Sequence, residues 1–282
     1  MDRVLLKSFS KVNIGLKIIN KRADGYHNIH TVFQEIDFYD NIILKKRNSG
    51  CSFSSNVDWL SNNESNLCVK AWQCLVERFD IAGINIELQK NIPPGSGLGG
   101  GSSNAACILK GLIQLYNLNI SLSDLLKIGS SIGADVPFFI KGGCQIGSGI
   151  GEQLVKVDYP NKNTFLLVMP DIHIGTKTAF KKFKKILDYN KEKVNFANFI
   201  KKDKFLFKFF ENDFETIIVP AYPEIGEIKN GLIEKGAIFS SLSGTGSTVF
   251  GVFDDKATAM DAESLFKPHY KTRISHPISK NM

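Results

Sequence analysis

Apolar residues occupy every second position over residues 12–18, with polar or small residues between them. Because strand side chains point alternately to the two faces of a sheet, this pattern predicts a β-strand. Similar patterns predict strands around residues 31–36 and 41–45 and over residues 84–88. The N-terminal part of the chain is therefore rich in predicted strands.

Helical spacing of apolar residues begins further along the chain. Residues 66–79 and 105–116 carry apolar side chains three or four positions apart, as on one face of a helix. A third helix is predicted after Ser121, an N-cap residue, and Gly133 is well placed to end it. The next apolar run, residues 137–140, predicts a short buried strand.

The second half of the chain also mixes the two kinds of element. A strand is predicted over residues 165–169, helices over residues 223–234 and 257–265, and two strands on either side of the turn at residues 243–246. Strands and helices in this order predict an α+β fold.

The length of 282 residues allows one large domain or two smaller ones. A loop at residues 159–163 is the predicted junction, which gives domains over residues 1–158 and 159–282. The start of the chain lacks the apolar core of a signal peptide. No uninterrupted apolar run approaches the ~20 residues that cross a bilayer. We therefore expect a cytoplasmic protein with no membrane partner, either a monomer or a homodimer.

Five cysteines occur, an odd number without a CxxC pair, which favours reduced thiols in a cytoplasm. The net charge is +7, and lysines cluster near residues 181–185 and 201–204. Such clusters can bind nucleic acid or membranes, but a solvated lysine-rich surface is the favoured interpretation. We therefore expect no nucleic-acid partner.

A glycine-rich loop lies between a predicted strand and a predicted helix. Five of the seven residues over 95–101 are glycines, which adopt left-handed dihedrals and approach a ligand closely. Several amides can then surround one anion, and the N-terminus of the helix adds its positive end. We expect Ser102, Ser103 and Asn104 to supply the N-cap. This order predicts a phosphate site rather than a flexible turn.

Two better-known phosphate loops do not match. A Walker A loop ends in Gly-Lys-Ser/Thr, whereas this loop ends in Gly-Ser-Ser. A dinucleotide fingerprint needs an acidic residue ~20 positions further on, and that distance falls near Asp124, which has the character of a helix cap.

Three motifs in chain order carry a family resemblance. They are Lys-Val-Asn-Ile-Gly-Leu at residues 11–16, Pro-Pro-Gly-Ser-Gly-Leu-Gly-Gly-Gly-Ser-Ser-Asn-Ala-Ala at residues 93–106, and Ser-Gly-Thr-Gly-Ser at residues 243–247. Together they resemble the signatures of the GHMP kinases, which phosphorylate galactose, homoserine, mevalonate and phosphomevalonate. The resemblance implies a two-lobed fold. The N-terminal domain would resemble domain 2 of ribosomal protein S5, and the C-terminal domain would be ferredoxin-like.

Two further segments narrow the resemblance to one branch of the family. They are Arg-Ala-Asp-Gly-Tyr-His at residues 22–27 and Gly-Ala-Asp-Val-Pro-Phe at residues 133–138. Members of that branch phosphorylate the 2-hydroxyl of a cytidine-diphosphate ester of methylerythritol, in the non-mevalonate route to isoprenoid precursors. The resemblance implies ATP and Mg²⁺ as cofactors and a small molecule as substrate.

Two alternatives stay open at this point. Another GHMP kinase, for homoserine or mevalonate, is disfavoured by Tyr26 and His27, because those substrates have no base to stack. A GHMP-fold sensor without catalysis is disfavoured by the presence of both Lys11 and Asp135.

The resemblance assigns Asp135 as the general base, on a turn just past a helix end, where the plain alternative is a turn or capping aspartate. It makes Lys11 the partner of Asp135, with Asn13 positioning substrate on the same strand face. The plain alternative for Lys11 and Asn13 is the wet face of an amphipathic strand, which the pattern alone slightly favours.

The resemblance also assigns a cytidine pocket. Tyr26 would stack on the base, His27 would contact its polar edge, and Phe180 would cover its other face. Thr176 would belong to the same pocket. The plain alternatives are a surface aromatic and histidine, and a core position of an amphipathic helix for Phe180.

The remaining assignments concern ATP. The phosphates would lie on the residues of the glycine loop, with Mg²⁺ carried by ATP near Ser102 rather than in a metal cage. Asn66 would contact adenine, or simply cap its helix. The implied phosphate contacts are Pro94, Gly95, Ser96, Gly97, Leu98, Gly99, Gly100, Gly101, Ser102, Ser103 and Asn104, joined by Gly244, Thr245 and Gly246. Relatives often have glycine at Ser96, which is tolerable if its dihedrals are ordinary.

Overall fold

The protein is described from a computed structural model that covers residues 2–61, 63, 65–158, 162–183, 195–201 and 205–279. It divides into two compact units, each built from separate stretches of chain. Unit 1 comprises residues 1–10, 39–94 and 99–141, and unit 2 comprises residues 11–38, 95–98 and 142–282. The predicted domain boundary at residues 158 and 159 stays a prediction, and its loop residues 159–161 lie outside the described residues.

Two long strands pass through both units. They are β1 (Arg3–Lys21) and β2 (His27–Arg47), which pair with each other. In unit 1, the C-terminal part of β2 pairs antiparallel with β4 (Gly83–Gln89), which pairs parallel with β3 (Cys51–Ser55). The predicted strands at residues 31–36 and 41–45 are thus parts of one strand, β2.

Four helices complete unit 1: α1 (Leu67–Val76), α2 (Gly100–Tyr116), α3 (Leu122–Ile132) and α4 (Val136–Lys141). The predicted cap of α3 is confirmed, because Ser121 accepts a hydrogen bond from the amide of Asp124, and Gly133 is the C-cap.

The predicted strand at residues 137–140 is wrong, because these residues lie in the short helix α4. An apolar run this short has no readable period, so buried strand and buried helix have the same sequence pattern. Pro137 is compatible with the helix because it lies in the first turn, where its missing N–H has no helical partner to lose.

Unit 2 contains two groups of strands. The N-terminal part of β2 pairs with β5 (Cys144–Ser148), which pairs with β6 (Gln153–Lys156). A separate antiparallel sheet has the order β10-β7-β9-β8. Its strands are β7 (Thr164–Met169), β8 (Phe239–Leu242), β9 (Val249–Phe253) and β10 (Lys271–Ser275).

Among the described residues of unit 2, four helices and two 3₁₀ turns accompany these strands. The helices are α5 (Thr176–Phe183), α6 (Glu215–Ala221), α7 (Pro223–Glu234) and α8 (Lys256–Phe266). The 3₁₀ turns are Phe196–Phe199 and Phe207–Phe209. Apolar faces of the helices pack on buried residues of β7 and β9. No helix in the described part of the chain is long and apolar enough to cross a membrane.

Candidate functional site

The first half of the glycine loop has a backbone that only glycine accommodates well. Gly95, Gly97 and Gly99 have φ angles of +61°, +76° and +70°, and L side chains rarely adopt this region. A Cβ added at Gly97 would also lie 1.9 Å from the carbonyl oxygen of Ser243. Ser96, between two of these glycines, is not among the described residues with positive φ, so the expectation of ordinary dihedrals is confirmed.

Within unit 2 this loop is bonded to β1 and to the turn between β8 and β9. Lys11 donates its amide to the carbonyl of Leu98 at 3.1 Å. The Ser243 hydroxyl donates to the carbonyl of Gly97 at 2.9 Å, and the Thr248 amide donates to the carbonyl of Ser96 at 3.2 Å. The three sequence motifs therefore meet through residues 11, 95–98 and 243–248.

Lys11 and Asn13 form a buried polar pair on β1. Lys11 is 4% exposed and Asn13 is 1% exposed, so the interpretation of a wet strand face is wrong. The Lys11 ammonium donates to Oδ1 of Asn13 at 2.5 Å, and Asn13 Nδ2 donates to the Thr31 hydroxyl at 2.8 Å. Thr31 in turn donates to the carbonyl of Gly15 at 2.6 Å. Burying a cation is costly, so this network marks a prepared polar site rather than a surface.

The turn between β8 and β9 lies beside this pair. A Cβ placed on Gly244 (φ +59°) would be 3.4 Å from Oδ1 of Asn13 and 3.6 Å from the Lys11 ammonium. Next along the turn, the Thr245 hydroxyl lies 3.4 Å from that of Thr176, at the start of α5. Unit 2 thus brings together Lys11, Asn13, Gly244, Thr245 and Thr176.

In unit 1 the glycine motif continues into α2. This helix begins at Gly100, its N-cap is Gly99, and no side chain caps it. The prediction that Ser102, Ser103 and Asn104 supply the N-cap is wrong. An N-terminus without a side-chain cap leaves first-turn amides available to an anion, which strengthens the phosphate interpretation.

The Ser103 and Asn104 side chains point into unit 1 instead. Ser103 donates its hydroxyl to the carbonyl of Phe9 at 2.5 Å. Asn104 Nδ2 donates to the Ser8 hydroxyl and to the Asp40 carboxylate, each at 2.9 Å. These bonds anchor the first turns of α2 to β1 and β2.

Sequence reasoning missed Asp40, which organises this end of unit 1. Its side chain is fully buried and forms an ion pair with Lys90. It also accepts the amides of Asn91 and Ile92 at 2.7 and 2.9 Å, in addition to Asn104 Nδ2. Asp40 thereby holds the chain just before the glycine loop against α2. The available signal was its position in the alternation of β2, at the same parity as Phe38, Ile42 and Leu44, because a carboxylate on the buried side of a strand demands partners.

Asp135 lies on the turn between α3 and α4 and is half-buried. Its carbonyl accepts the Phe139 amide at 3.4 Å, so it stands at the start of α4. The Ser102 hydroxyl of α2 is close to this turn, at 3.7 Å from a Cβ placed on Gly133. Lys11 belongs to unit 2, so the pairing of Lys11 with Asp135 stays a prediction.

The aromatic residues of the predicted pocket lie in unit 2. Tyr26 ends an exposed turn and is itself 59% exposed, and its amide donates to Oδ1 of Asp24 at 3.1 Å. The Arg22 hydrogen bond lowers the pKa of Asp24 below its ordinary value. His27 stacks on Phe180, with ring centroids 4.9 Å apart and planes 22° apart.

Phe180 also contacts the core of unit 2. Its ring meets that of Phe214 at right angles, with centroids 4.8 Å apart, and it is only partly buried. Phe180 thus has a partly open ring, and Tyr26 has an exposed ring. The placement of a base between Tyr26 and Phe180 stays a prediction.

Asn66 has the plainer of its two expected roles. Its Oδ1 accepts the Cys68 amide at 2.9 Å, and its Nδ2 donates to the carbonyl of Ser61 at 2.9 Å, so it caps α1. The contact of Asn66 with adenine stays a prediction. Burial raises the pKa of the Cys68 and Cys144 thiols to about 12, so neither is a nucleophile at neutral pH.

Comparison with known proteins decides the family. The family model described as "GHMP kinases N terminal domain" matches residues 66–143, and the one described as "GHMP kinases C terminal" matches residues 198–265. The chain belongs to the GHMP kinase family. It is accordingly an ATP-dependent small-molecule kinase, as the motifs implied.

Relatives of this GHMP kinase align over nearly its whole length. It is 35% identical to the 4-diphosphocytidyl-2-C-methyl-D-erythritol kinase of Prosthecochloris aestuarii, over 98% of each chain. It is 35% identical to the enzyme of the same name from Acetivibrio thermocellus, over 99% of this chain and all of the relative. The one from Alkaliphilus oremlandii is 38% identical, over 96% of this chain and 95% of the relative.

Solved structures show the same fold. The crystal structure of 4-(cytidine 5'-diphospho)-2C-methyl-D-erythritol kinase superposes with a TM-score of 0.85 and 25% identity, over 98% of this chain and 100% of that one. A homoserine kinase from Cytophaga hutchinsonii superposes with a TM-score of 0.73 and 18% identity, over 99% of this chain and 96% of that one. The predicted two-lobed GHMP kinase fold is therefore confirmed.

A GHMP kinase needs a site for ATP, and two features of the chain fit one. They are the left-handed glycines over residues 95–99 and the N-terminus of α2, which has no side-chain cap. Within the described residues, no group of three or more His, Cys, Asp and Glu side chains is arranged to hold a metal ion. The placement of ATP-borne Mg²⁺ near Ser102, in the first turn of α2, stays a prediction.

Proposed function

We propose that this GHMP kinase transfers the γ-phosphoryl group of ATP to the 2-hydroxyl of 4-diphosphocytidyl-2-C-methyl-D-erythritol. This reaction belongs to the non-mevalonate route to isoprenoid precursors. Relatives of that name, 35–38% identical over nearly the full chain, support the proposal. The free thiols of all five cysteines suit a reducing cytoplasm, which is where we place the enzyme.

The observation that carries the substrate choice is the aromatic group formed by Tyr26, His27 and Phe180. A pyrimidine base gains from flat aromatic surfaces with a polar group at its edge. Tyr26 offers an exposed ring, and Phe180 is held by its contacts with His27 and Phe214. Mevalonate and homoserine have no ring that could use these surfaces. A cytidine-bearing alcohol therefore fits this group better than the substrates of the other GHMP kinases.

We assign the triphosphate of ATP to backbone amides. The amides of residues 95–101 and those of Gly244 and Thr245 are the donors, because the glycines of these segments let the backbone approach the phosphate oxygens. The Gly246 amide donates to the Ser243 carbonyl at 2.9 Å, so Gly246 contributes only the close approach of its backbone. Mg²⁺, when bound with ATP, would neutralise charge on the phosphate oxygens, with Ser102 as the nearest side chain.

The chemical roles fall to three side chains. Asp135 accepts the proton of the 2-hydroxyl as the oxygen attacks the γ-phosphorus, and the bond to the β-phosphate oxygen breaks to release ADP. Asn13 positions the substrate alcohol, and Lys11 stabilises the charge that develops near it. The buried Lys11–Asn13 hydrogen bond of 2.5 Å supports these two roles, because it holds both groups in one orientation before substrate arrives.

Measuring ADP release tests the proposal. The protein is incubated with ATP, Mg²⁺ and either the cytidyl alcohol, mevalonate or homoserine. We expect turnover with the cytidyl alcohol alone and a phosphate monoester at its 2-position by ³¹P NMR. Turnover of mevalonate or homoserine without the cytidyl alcohol would refute the proposal.

A further inference from the structure

The segment 211–215 runs beside β1 and is bonded to it. The Leu16 amide donates to the carbonyl of Glu211 at 2.8 Å, and the Asp213 amide donates to the carbonyl of Leu16 at 2.9 Å. Leu16 and Asn212 thereby form a parallel bridge outside the named strands. Because Leu16 lies on the same strand as Lys11, the segment is attached to the element that carries the buried Lys11–Asn13 pair.

The Asn212 side chain extends from this bridge to the turn between β8 and β9. Asn212 is 2% exposed, and its Nδ2 donates to the carbonyl of Leu242 at 2.7 Å and to that of Gly244 at 2.8 Å. Its Oδ1 accepts the Phe214 amide at 3.0 Å. These three hydrogen bonds fix the orientation of the Asn212 side-chain amide, because exchanging its nitrogen and oxygen would place Oδ1 against two carbonyl oxygens.

Neighbouring groups hold the same strand end in place. Glu215 accepts the Leu242 amide and the Ser241 hydroxyl through one oxygen, each at 2.8 Å, and forms an ion pair with Lys229 through the other. Glu215 therefore fixes the end of β8. Asn212 is the side chain of the segment that reaches Gly244 itself.

The position of Gly244 matters because of what lies next to it. A Cβ placed on Gly244 would lie within van der Waals distance of Asn13 Oδ1, of the Lys11 ammonium and of the Gly97 carbonyl oxygen. A displacement of the turn by as little as ~1 Å would change where its amides point relative to the Lys11–Asn13 pair, and misplacement on that scale costs ~100-fold in rate.

We propose that Asn212 is a positioning residue for phosphoryl transfer, which sets the amides of Gly244 and Thr245 relative to Lys11 and Asn13. Asn212 touches neither substrate in this scheme and acts through Gly244. The proposal rests on the proposed function, since it assigns those amides to the phosphates. It concerns a residue outside the three family motifs.

Two variants test the role of the side chain. Asn212→Asp keeps the shape and the acceptor for Phe214 but places an oxygen against the Leu242 and Gly244 carbonyls. Asn212→Ser removes both donated bonds and buries no charge. Asp255→Ala is the matched control, since it removes the cap that Asp255 provides to Thr258 in α8 and thus lowers stability elsewhere in unit 2.

Steady-state kinetics, thermal unfolding and binding of cytidine diphosphate are measured for each. We expect kcat to fall at least ~10-fold and the KM for ATP to rise in both Asn212 variants. Affinity for cytidine diphosphate should be unchanged in Asn212→Asp, which keeps the acceptor for the Phe214 amide and so the ring that packs on Phe180. Asp255→Ala should lower the melting temperature and leave kcat and both KM values at the wild-type level.

Several outcomes would overturn the positioning role. These are a folded Asn212→Ser variant with wild-type kcat and KM, or a parallel loss of cytidine diphosphate affinity in Asn212→Asp, which keeps the Phe214 acceptor and would thus indicate a general structural role. If Asn212→Asp does not fold, the kcat and KM values of Asn212→Ser decide whether Asn212 has the positioning role. A wild-type protein that phosphorylates a different alcohol refutes the proposed function alone, and the same variant ratios on that alcohol then decide the role of Asn212.

Discussion

At the scale of single residues, the polar side chains that organise the candidate site are buried rather than exposed. Lys11, Asn13 and Asp40 are each less than 5% exposed and each forms hydrogen bonds or an ion pair. A buried polar group without partners costs free energy, so each network is retained for a reason. For Lys11 and Asn13 that reason is the orientation of a polar pair beside Gly244 and Gly97.

Asp135 is the residue whose role is most directly testable. We expect Asp135→Asn to lower kcat by roughly 10²–10⁴ while the affinity for ATP stays unchanged, because the amide cannot accept the hydroxyl proton. Stopped assays of ADP release and equilibrium binding of ATP measure the two quantities. Asp124→Asn, at an exposed position at the start of α3, is the matched control in the same unit and should retain full activity. An unchanged kcat in Asp135→Asn would remove the base from the mechanism.

A substitution at Gly97 tests whether the glycine loop must lie close to the turn after β8. Gly97→Ala adds a Cβ where the Ser243 oxygen lies at 1.9 Å, so the loop and the turn after β8 must separate. We expect kcat/KM for ATP to fall at least ~10-fold. Gly50→Ala is the control for backbone strain, since Gly50 has φ +70° but no atom within 4 Å of its Cβ. Both variants should lose about 1–2 kcal/mol of stability from the left-handed backbone, and equal kinetics in the two would contradict the close-approach argument.

At the scale of elements, β1 shows why alternation in sequence does not guarantee one wet face. Residues 10–16 of β1 are buried on both sides, although polar and apolar residues alternate. The polar face is covered by the glycine loop and by the 3₁₀ turns around Phe196 and Phe210, whose rings lie within 3 Å of a Cβ placed on Gly15. Sequence periodicity reports which residues share a face, and tertiary contacts decide what covers it.

The 3₁₀ turn Phe196–Phe199 is attached to β2 through His30. His30 Nε2 accepts the Phe196 amide at 3.1 Å, and the two rings stack with centroids 5.2 Å apart. Burial lowers the pKa of His30 below 6.5. The unfolded chain therefore takes up the proton first, and the stabilisation is complete above pH 6.5 and lost as the pH falls toward the folded-state pKa.

This titration predicts a pH-dependent melting temperature. From about pH 7.5 to 5.5, the melting temperature of the wild-type protein should fall further than that of His30→Phe, because phenylalanine has no site to protonate. Differential scanning fluorimetry across this range measures the difference. His269→Asn, at an exposed position, serves as control and should follow the wild-type curve. A constant offset between wild type and His30→Phe at every pH would show that protonation of His30 is not coupled to folding.

At the scale of the whole molecule, each compact unit is assembled from stretches far apart in sequence. Unit 2 contains residues 11–38, 95–98 and 142–282, so it holds parts of all three family motifs. Unit 1 holds α2, Asp135 and the network around Asp40. Binding of nucleotides to such a molecule stabilises it according to ligand concentration and affinity.

Nucleotide binding therefore tests the cytidine assignment through stability. With cytidine diphosphate at 100 times its Kd, we expect about 2.7 kcal/mol of added stability, measured as a rise in melting temperature. Tyr26→Ala should abolish the rise with cytidine diphosphate and leave the rise with ATP unchanged, and Tyr26→Phe, which keeps the ring, should retain both. A full cytidine diphosphate response in Tyr26→Ala would show that Tyr26 does not stack on the base.

The sequence by itself determined the α+β class and the family and predicted a phosphate site at residues 93–106, because these depend on local composition and on motif order. It also predicted the caps at Ser121 and Gly133, since a cap is an interaction within a few residues. It failed at residues 137–140, where a short apolar run has no period. It also failed at Ser102 to Asn104, none of which caps α2, and the Ser103 and Asn104 side chains bond to β1 and β2 instead.

Only the tertiary structure decided that Lys11 and Asn13 are buried, that Asp40 organises the approach to the glycine loop, and that Asn212 reaches Gly244. Each depends on contacts between residues that are far apart in sequence, and such contacts leave no local periodicity. The glycine motif thus predicted what is bound, whereas the fold decided which side chains and carbonyls surround it.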